Sequence, residues 1–474
     1  MRATVPLLGG RQVDRAFSVN VQRTINLRPE GEPSGAKSLL TLKPTEGLTL
    51  YFRQGNGPCR SHFVEFQGDS YWVSGGQLLS VDSTRTVTVI GALNTTSGWC
   101  VLAAGRDYLM VVDGTDGYYY DGATFAAIAF GFTINPTWCA YQDGYFLANH
   151  DGTDQVYASS LTLGGDEDAT TWTALGFATA EADPDDVLAI ARTYERLYFV
   201  GSKTTQVYYN SGNADFPFDL VTNGVLEWGI EAPASLDIAD GRMFLLSRSV
   251  SGGLAVIMVS GFQHQEISDP DLIKEFETLT TLSDAEGFAY KLGGDTFYEL
   301  TFPTDARTYC YQVETGLWHD RVTYGLTRRR TRGHGYFNGR HLVGDYESGN
   351  VYYLDPTVYT ENGYPLLRTR VTSVTHKDGR DIECNALEIE FKRGVGLISG
   401  QGSDPQAMLR YSVDGGRTWS STLWQPLGAI GEYDMRAVWQ MLGQGRSFIF
   451  EVSVSDPVEV VMVAAYADIE VLAA

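Results

Sequence analysis

"WCVLAAGRDYLMVVDGTDG" (Trp99–Gly117) and "WCAYQDGYFLANHDGTDQ" (Trp138–Gln155) share a leading Trp-Cys and a trailing Asp-Gly-Thr-Asp. Between these ends each runs through a Gly-containing polar turn, an alternating aromatic and aliphatic strand, and a second turn of small residues. The same unit recurs from Gln67, Gly105, Gln142, Tyr194, Ala239, Gly293 and Asn338, seven copies spaced by 37 to 54 residues. That spacing holds four strands of about five or six residues plus their turns, which is one propeller blade. Trp99 and Trp138 read as wedges filling the gap between radially arranged sheets rather than as ligand-stacking surfaces.

Outward from the repeat the pattern changes on both sides. Before about residue 55, "VQRTINLRPEGEPSGAKSLLTLKPTEGL" is rich in Pro and Gly with no sustained period, and reads as an extended arm tied onto the propeller or a neighbour. From about Leu366 the copies stop, and "LEIEFKRG", "AMLRYSVDGG", "SFIFEVSV" and "VEVVMVAAYADIEV" alternate like strands of a half-buried antiparallel sandwich. The expected architecture is all-β: an N-terminal arm over 1–55, a β-propeller of six or seven blades over 56–363, and a C-terminal β-sandwich over 364–474.

Fifty-eight acidic against 35 basic residues give the chain a net charge of −23, which repels a polyanion and argues against sequence-specific DNA binding. Five widely separated cysteines do not make a disulfide framework and read as buried thiols. The apolar run at "MRATVPLLGG" is short for a secretion signal, and no charge-free run reaches the ~18 residues of a membrane span, so synthesis in the cytoplasm is expected.

The chemical motifs are few. "SVDGGRTW" (Ser412–Trp419) fits the Asp-box, Ser-x-Asp-x-Gly-x-Thr-Trp, which glycoside-cleaving propellers of the sialidase type repeat in several blades. Here it occurs once and outside the repeat. Ser412, Asp414, Gly416, Thr418 and Trp419 therefore read as a self-stapled turn, with Asp414 accepting backbone amides and Trp419 returning to the core. A glycosidase also needs two opposed carboxyls, and nothing in the pattern singles out such a pair. The acidic turns at Val112–Gly117, Asp151–Asp154 and Asp183–Asp186 lack the spacing of a calcium loop and read as hairpin turns. No zinc, phosphate-loop or nucleophile-elbow pattern occurs, so no cofactor and no metal are expected. One run breaks the acidic trend: "TRRRTRGHG" places Arg328, Arg329, Arg330 and Arg332 within five residues. They read as a solvated or salt-bridged subunit contact, or as a contact with nucleic-acid backbone that would carry no sequence preference.

The order of parts carries a resemblance. Asn26-Leu27-Arg28-Pro29-Glu30 followed by "LKPTEGL", and the block Ser412–Asp456 with Asp-Gly-Gly-x-Thr-Trp, Leu427-Gly428, Gly431-Glu432-Tyr433, Trp439 and Leu442-Gly443, resemble the packaged-DNA stabilisation proteins, also called tail hub or nozzle proteins, of short-tailed bacteriophages. Arg28 stands where that family tends to have an aromatic residue, and "KPTEG" lacks its Pro-Gly step. The resemblance implies a non-enzymatic virion component, a ring of six copies below the portal and its adaptor. It implies contacts with a tail needle or plug and with tailspike or fibre proteins, and passage of double-stranded DNA on ejection. An Arg328–Arg332 loop facing the bore would then act as a local brake on the genome. The competing expectation is a glycan-cleaving or glycan-binding propeller, sialidase-like or a receptor-binding adhesin.

Overall fold

The computed structural model describes residues 2–13, 21–34, 38–180, 185–194, 196–377 and 379–472. Each of the seven repeat copies supplies one strand of an antiparallel hairpin: Asp69–Ser74, Leu109–Val112, Tyr145–Asn149 and Arg196–Gly201 in four-stranded sheets, and Arg242–Ser249, Asp295–Phe302 and Arg340–Asp345 in sheets of five, ten and six strands. The reason is local. Asp240-Gly241 and Asn338-Gly339 place two consecutive residues at positive φ, the two-residue turn whose twist matches a right-handed hairpin. The strands that follow bury both faces, as Leu109–Val112 and Phe146–Ala148 do, because a second strand lies between neighbouring sheets.

Six sheets are built from consecutive strands, blades 1 to 6, and follow one another around an axis. Blade 7 is composite. Thr331–Phe337, Arg340–Asp345 and Asn350–Asp355 provide three strands, and the fourth is Gly47–Arg53, paired antiparallel to Asn350–Asp355. The circle is thus closed by a strand that precedes blade 1 in the chain. A ladder between segments some 300 residues apart closes a long loop, so its entropy must be offset by the packing that follows.

The C-terminal sandwich also draws on the N-terminal arm. One sheet orders Leu27–Gly31, Leu40–Pro44, Met462–Val471, Ile382–Phe391 and Ala437–Gln440, with Arg2–Thr4 on the Met462–Val471 strand. The other orders Arg368–Val371, Ile449–Val454, Gln406–Ser412 and Leu423–Pro426. Val21–Ile25 extends this second sheet and lies parallel to Leu317–Asp320 of blade 6, so one continuous sheet runs from propeller to sandwich. Val5, Leu7, Leu27 and Leu42 of the arm share a core with Leu387, Phe450 and Val452. The arm therefore ties onto the propeller and is also built into the sandwich. Its strands pair partly with each other, as Leu27–Gly31 does with Leu40–Pro44, and partly with segments hundreds of residues away, as Arg2–Thr4 does with Met462–Val471.

Five buried cysteines are all free thiols. Among the described residues no helix is long and apolar enough to cross a membrane, and no group of His, Cys, Asp and Glu is placed to hold a metal ion.

Candidate functional site

The arginine run begins at the end of the blade 6–7 connection and enters the innermost strand of blade 7, Thr331–Phe337. Its alternation sends successive side chains to opposite sides. Arg329 is fully buried. Its guanidinium donates to Glu299 and, at 3.0 Å, to Oε1 of Glu46, while Arg321 reaches the same Glu46 oxygen at 2.7 Å. Tyr290 Oη donates to Glu46 at 3.0 Å and to Glu299 at 3.1 Å. Two carboxylates and two guanidiniums thus balance in a dry seam that joins blade 6, blade 7 and the closing strand. Burial alone would push Glu46 up, but Arg321 and Arg329 outweigh it and hold the carboxyl well below the usual range.

The other three arginines are held by the chain as well. Arg328 is buried and lies 3.5 Å above the Tyr346 ring centroid. Arg330 faces Asp345 and Glu347, each at 3.3 Å. Arg332 pairs with Glu286 of blade 6 and stands 5.5 Å from the centroid of Trp99. Neither Arg328 nor Arg329 is the exposed side chain a DNA or subunit contact requires: Arg328 is buried against the Tyr346 ring, and Arg329 is sealed between blades against Glu46 and Glu299. The physical reason is that Glu46 and Glu299, remote in sequence, supply the counter-charge that a solvated loop would take from water. Sequence reasoning missed both acids. The available signal was a glutamate, Glu299, between Tyr298 and Leu300 in a strand otherwise buried.

Around the axis the innermost strands enclose a cavity of about 500 Å³, lined by His62, Trp138, Ile190, Asp237 and His334 among others. A second cavity of about 460 Å³ opens at one mouth, against Trp99, Trp138, Asp113, Asp284, Glu286 and Arg332. Trp138 is the wedge expected: buried, it donates from Nε1 to the Ile190 carbonyl at 2.8 Å across to blade 4. Trp99 is only half buried and lines the mouth, with the His62 ring edge-on at 5.1 Å. The mouth contains a single arginine, already paired, so the trio of guanidiniums of a sialidase-type site is not assembled among the residues lining it.

The acidic turns bind backbone amides, Asp113 within its own hairpin and Asp185 across to the turn at residues 202–204. Asp113 accepts from the amides of Thr115 and Asp116 at 3.1 and 2.9 Å. Asp185 accepts from those of Ser202, Lys203 and Thr204, while Asp183 and Pro184 lie outside the described residues. The Asp-box is likewise a turn, between the sandwich strands Gln406–Ser412 and Leu423–Pro426. Asp414 Oδ1 accepts from the Arg417 and Thr418 amides, each at 2.9 Å, and from Ser412 Oγ at 2.7 Å; Oδ2 accepts from Thr418 Oγ1 at 2.7 Å. The Thr418 amide bond is the leading cause that holds this carboxyl well below its usual range. Gly416 sits at φ +94° and donates to Ser412 Oγ, and Trp419 packs half-buried beside Val371 and Ile449.

The chain is similar to solved structures only at low identity. Virginiamycin B lyase from Staphylococcus aureus is 9% identical with a TM-score of 0.42, covering 65% of this chain and 98% of its own. The Pan2 WD40 domain of Neurospora crassa is 8% identical with a TM-score of 0.39, covering 66% and 95%. No curated protein sequence matches. The models of one family, in contrast, cover nearly the whole chain: the bacteriophage P22 Gp10 β-propeller over residues 3–359 and the bacteriophage P22 Gp10 β-sandwich over residues 368–470. The circle of blades closed by Gly47–Arg53 and the sandwich joined to it correspond to the two parts that these models describe, and this chain belongs to the bacteriophage P22 Gp10 family of phage structural proteins.

Proposed function

We propose that the chain is a tail hub or nozzle subunit, six copies of which form a ring that extends the portal-adaptor channel, retains packaged DNA and lets it pass on ejection. The observation that carries this reading is the distribution of charge. The chain has a net charge of −23, and Arg60, Arg321, Arg329, Arg368 and Arg370 are among its largest fully buried side chains. Among the described residues seven buried arginines are nearly matched by eight buried carboxylates, so the acidic excess of the composition lies almost entirely at the surface. A duplex with one charge per ~1.7 Å passes such a wall without adhering. Screening over about 8 Å makes the effect local to the lining. With Arg328 and Arg329 internal, retention is steric, through the tail needle or plug that closes the conduit, rather than by an arginine brake. Portal-adaptor, needle and tailspike or fibre proteins are the partners.

The test is to produce particles without this chain and measure their DNA content. Particles that package the genome and then lose it, with full retention restored by the added protein, support the reading. Full retention in its absence overturns it.

A further inference from the structure

The unit that opens with Trp-Cys and closes with Asp-Gly-Thr-Asp occurs twice, and the fold brings both copies to one place. Trp99 and Trp138 precede the innermost strands of blades 2 and 3, Val101–Ala104 and Cys139–Gln142. Asp113 and Asp151 follow the next strands of the same blades, Leu109–Val112 and Tyr145–Asn149. All four residues line the cavity of about 460 Å³ at the mouth. That volume lies within the ~300–1,000 Å³ of small-ligand pockets. Leu188 of blade 4 continues the apolar wall, and Asp284 and Glu286 add two more acids from blade 6.

Charge and unpaired atoms together define what this pocket takes. Among the residues lining it, four acids face one cation, Arg332, whose guanidinium is held by Glu286 and stands 5.5 Å from the Trp99 centroid. The chain itself thus sets one cation between an indole and a carboxylate here, and three acids are left over. Asp113 spends its oxygens on Thr95, Thr115 and Asp116, so its charge acts at a distance. Asp151 is exposed. Asp284 accepts the Thr304 amide on Oδ2 at 2.9 Å, while its Oδ1 is buried with no hydrogen-bond partner. Trp99 Nε1 is also buried and unpaired, whereas Trp138 Nε1 has the Ile190 carbonyl. An acceptor short of a donor, beside uncompensated negative charge, is satisfied by a group that donates and is positive. Among the described residues no group of acids converges to hold a metal ion, so the cation that fits is organic. Indole faces take both an aliphatic stem and a cationic head. We propose that this mouth binds an alkylammonium, its stem against Trp99 and Leu188 and its head toward Asp151 and Asp284. A lysine side chain of a partner protein and a free diamine both have that chemistry.

The test uses the purified full-length chain with isotope-labelled tryptophan and does not depend on the proposed ring. The indole N–H resonance of Trp99, identified by its absence from Trp99→Phe, is followed during titration with cadaverine, with N-acetyl-lysine methylamide and with the uncharged pentanediol. A saturable shift is expected with the ammonium compounds and none with the diol. Asp151→Asn combined with Asp284→Asn should raise the apparent Kd about tenfold or more. Tighter binding of the lysine derivative identifies a partner's lysine as the source, and tighter binding of cadaverine a free diamine. An equal response to the diol overturns the proposal, as does the absence of any shift. A Kd unchanged in the double variant, its fold intact by circular dichroism, assigns the binding to surface acids elsewhere and overturns the site. If that variant fails to fold, Asp151→Asn alone, at an exposed position, makes the same comparison, and an unchanged Kd there also overturns it.

Discussion

Glu46 and Arg329 are separated by 283 positions in the chain and by 3.0 Å in space, inside a seam that water does not reach. Glu46 immediately precedes the strand that closes the propeller, and Arg329 lies two residues before the innermost strand of blade 7. Their contact therefore ties the two ends of the circle together. Removing one member leaves a buried charge uncompensated, which costs more than the pair itself contributes.

Glu46→Gln should accordingly lower stability by about 3–5 kcal/mol. Thermal unfolding of the variant checks it. The double change Glu46→Leu with Arg329→Met should recover part of the loss, because it removes the unpaired charge along with its partner.

Arg370 is the main staple of the N-terminal segment to the sandwich. It donates to the carbonyls of Leu7 and Gly10, to Thr24 Oγ1 at 2.6 Å and to Gln22 Oε1 at 2.5 Å, and burial pulls its pKa to about 9. Arg370→Ala leaves these buried acceptors without donors and should cost about 3 kcal/mol. Hydrogen exchange should speed up first in the residue 2–13 segment and in the Val21–Ile25 strand.

His319 gives stability a pH dependence. Burial, then the neighbouring Arg321, lowers its pKa from the ordinary 6.5 to about 3. The unfolded chain binds this proton as pH falls through 6.5 and the folded one does not, so the contribution is present above 6.5 and is lost progressively down to about 3. The slope from this group is about 1.4 kcal/mol per pH unit. Denaturant unfolding between pH 7 and pH 4 should show a shallower dependence in His319→Phe than in the parent chain.

Asp414 acts with the same sign in a lower pH range. Its carboxyl is depressed below the ordinary 3.8, so its contribution is complete above that value and disappears only as pH falls through the lower folded value. Asp414→Asn should weaken the turn at neutral pH and flatten the acid limb of the stability curve below about pH 4. Amide exchange at Arg417 and Thr418, whose N–H groups it binds, reads the local effect.

The second strand of each blade was legible in the sequence because its signal is local: a turn such as Asn338-Gly339 and an alternation such as Leu342-Val343 lie within ten residues of each other. The Asp-box was legible for the same reason, since Asp414 binds groups no more than four positions away. The arginine run was not. Four guanidiniums in "RRRTR" look solvated when the acids that meet them, Glu46, Glu286, Glu299, Asp345 and Glu347, lie elsewhere in the chain.

What the amino-acid order determined by itself is the unit of construction, a Gly-turned hairpin repeated until it can curl around an axis, and the acidic balance of the whole. Tertiary structure alone decided how the circle closes, that Gly47–Arg53 becomes the last strand of blade 7 and that the arm is shared with the sandwich. It also decided which charges face water. Hairpin turns are set by neighbours within a few bonds, whereas ring closure and charge burial depend on partners hundreds of residues away, whose meeting no local pattern encodes.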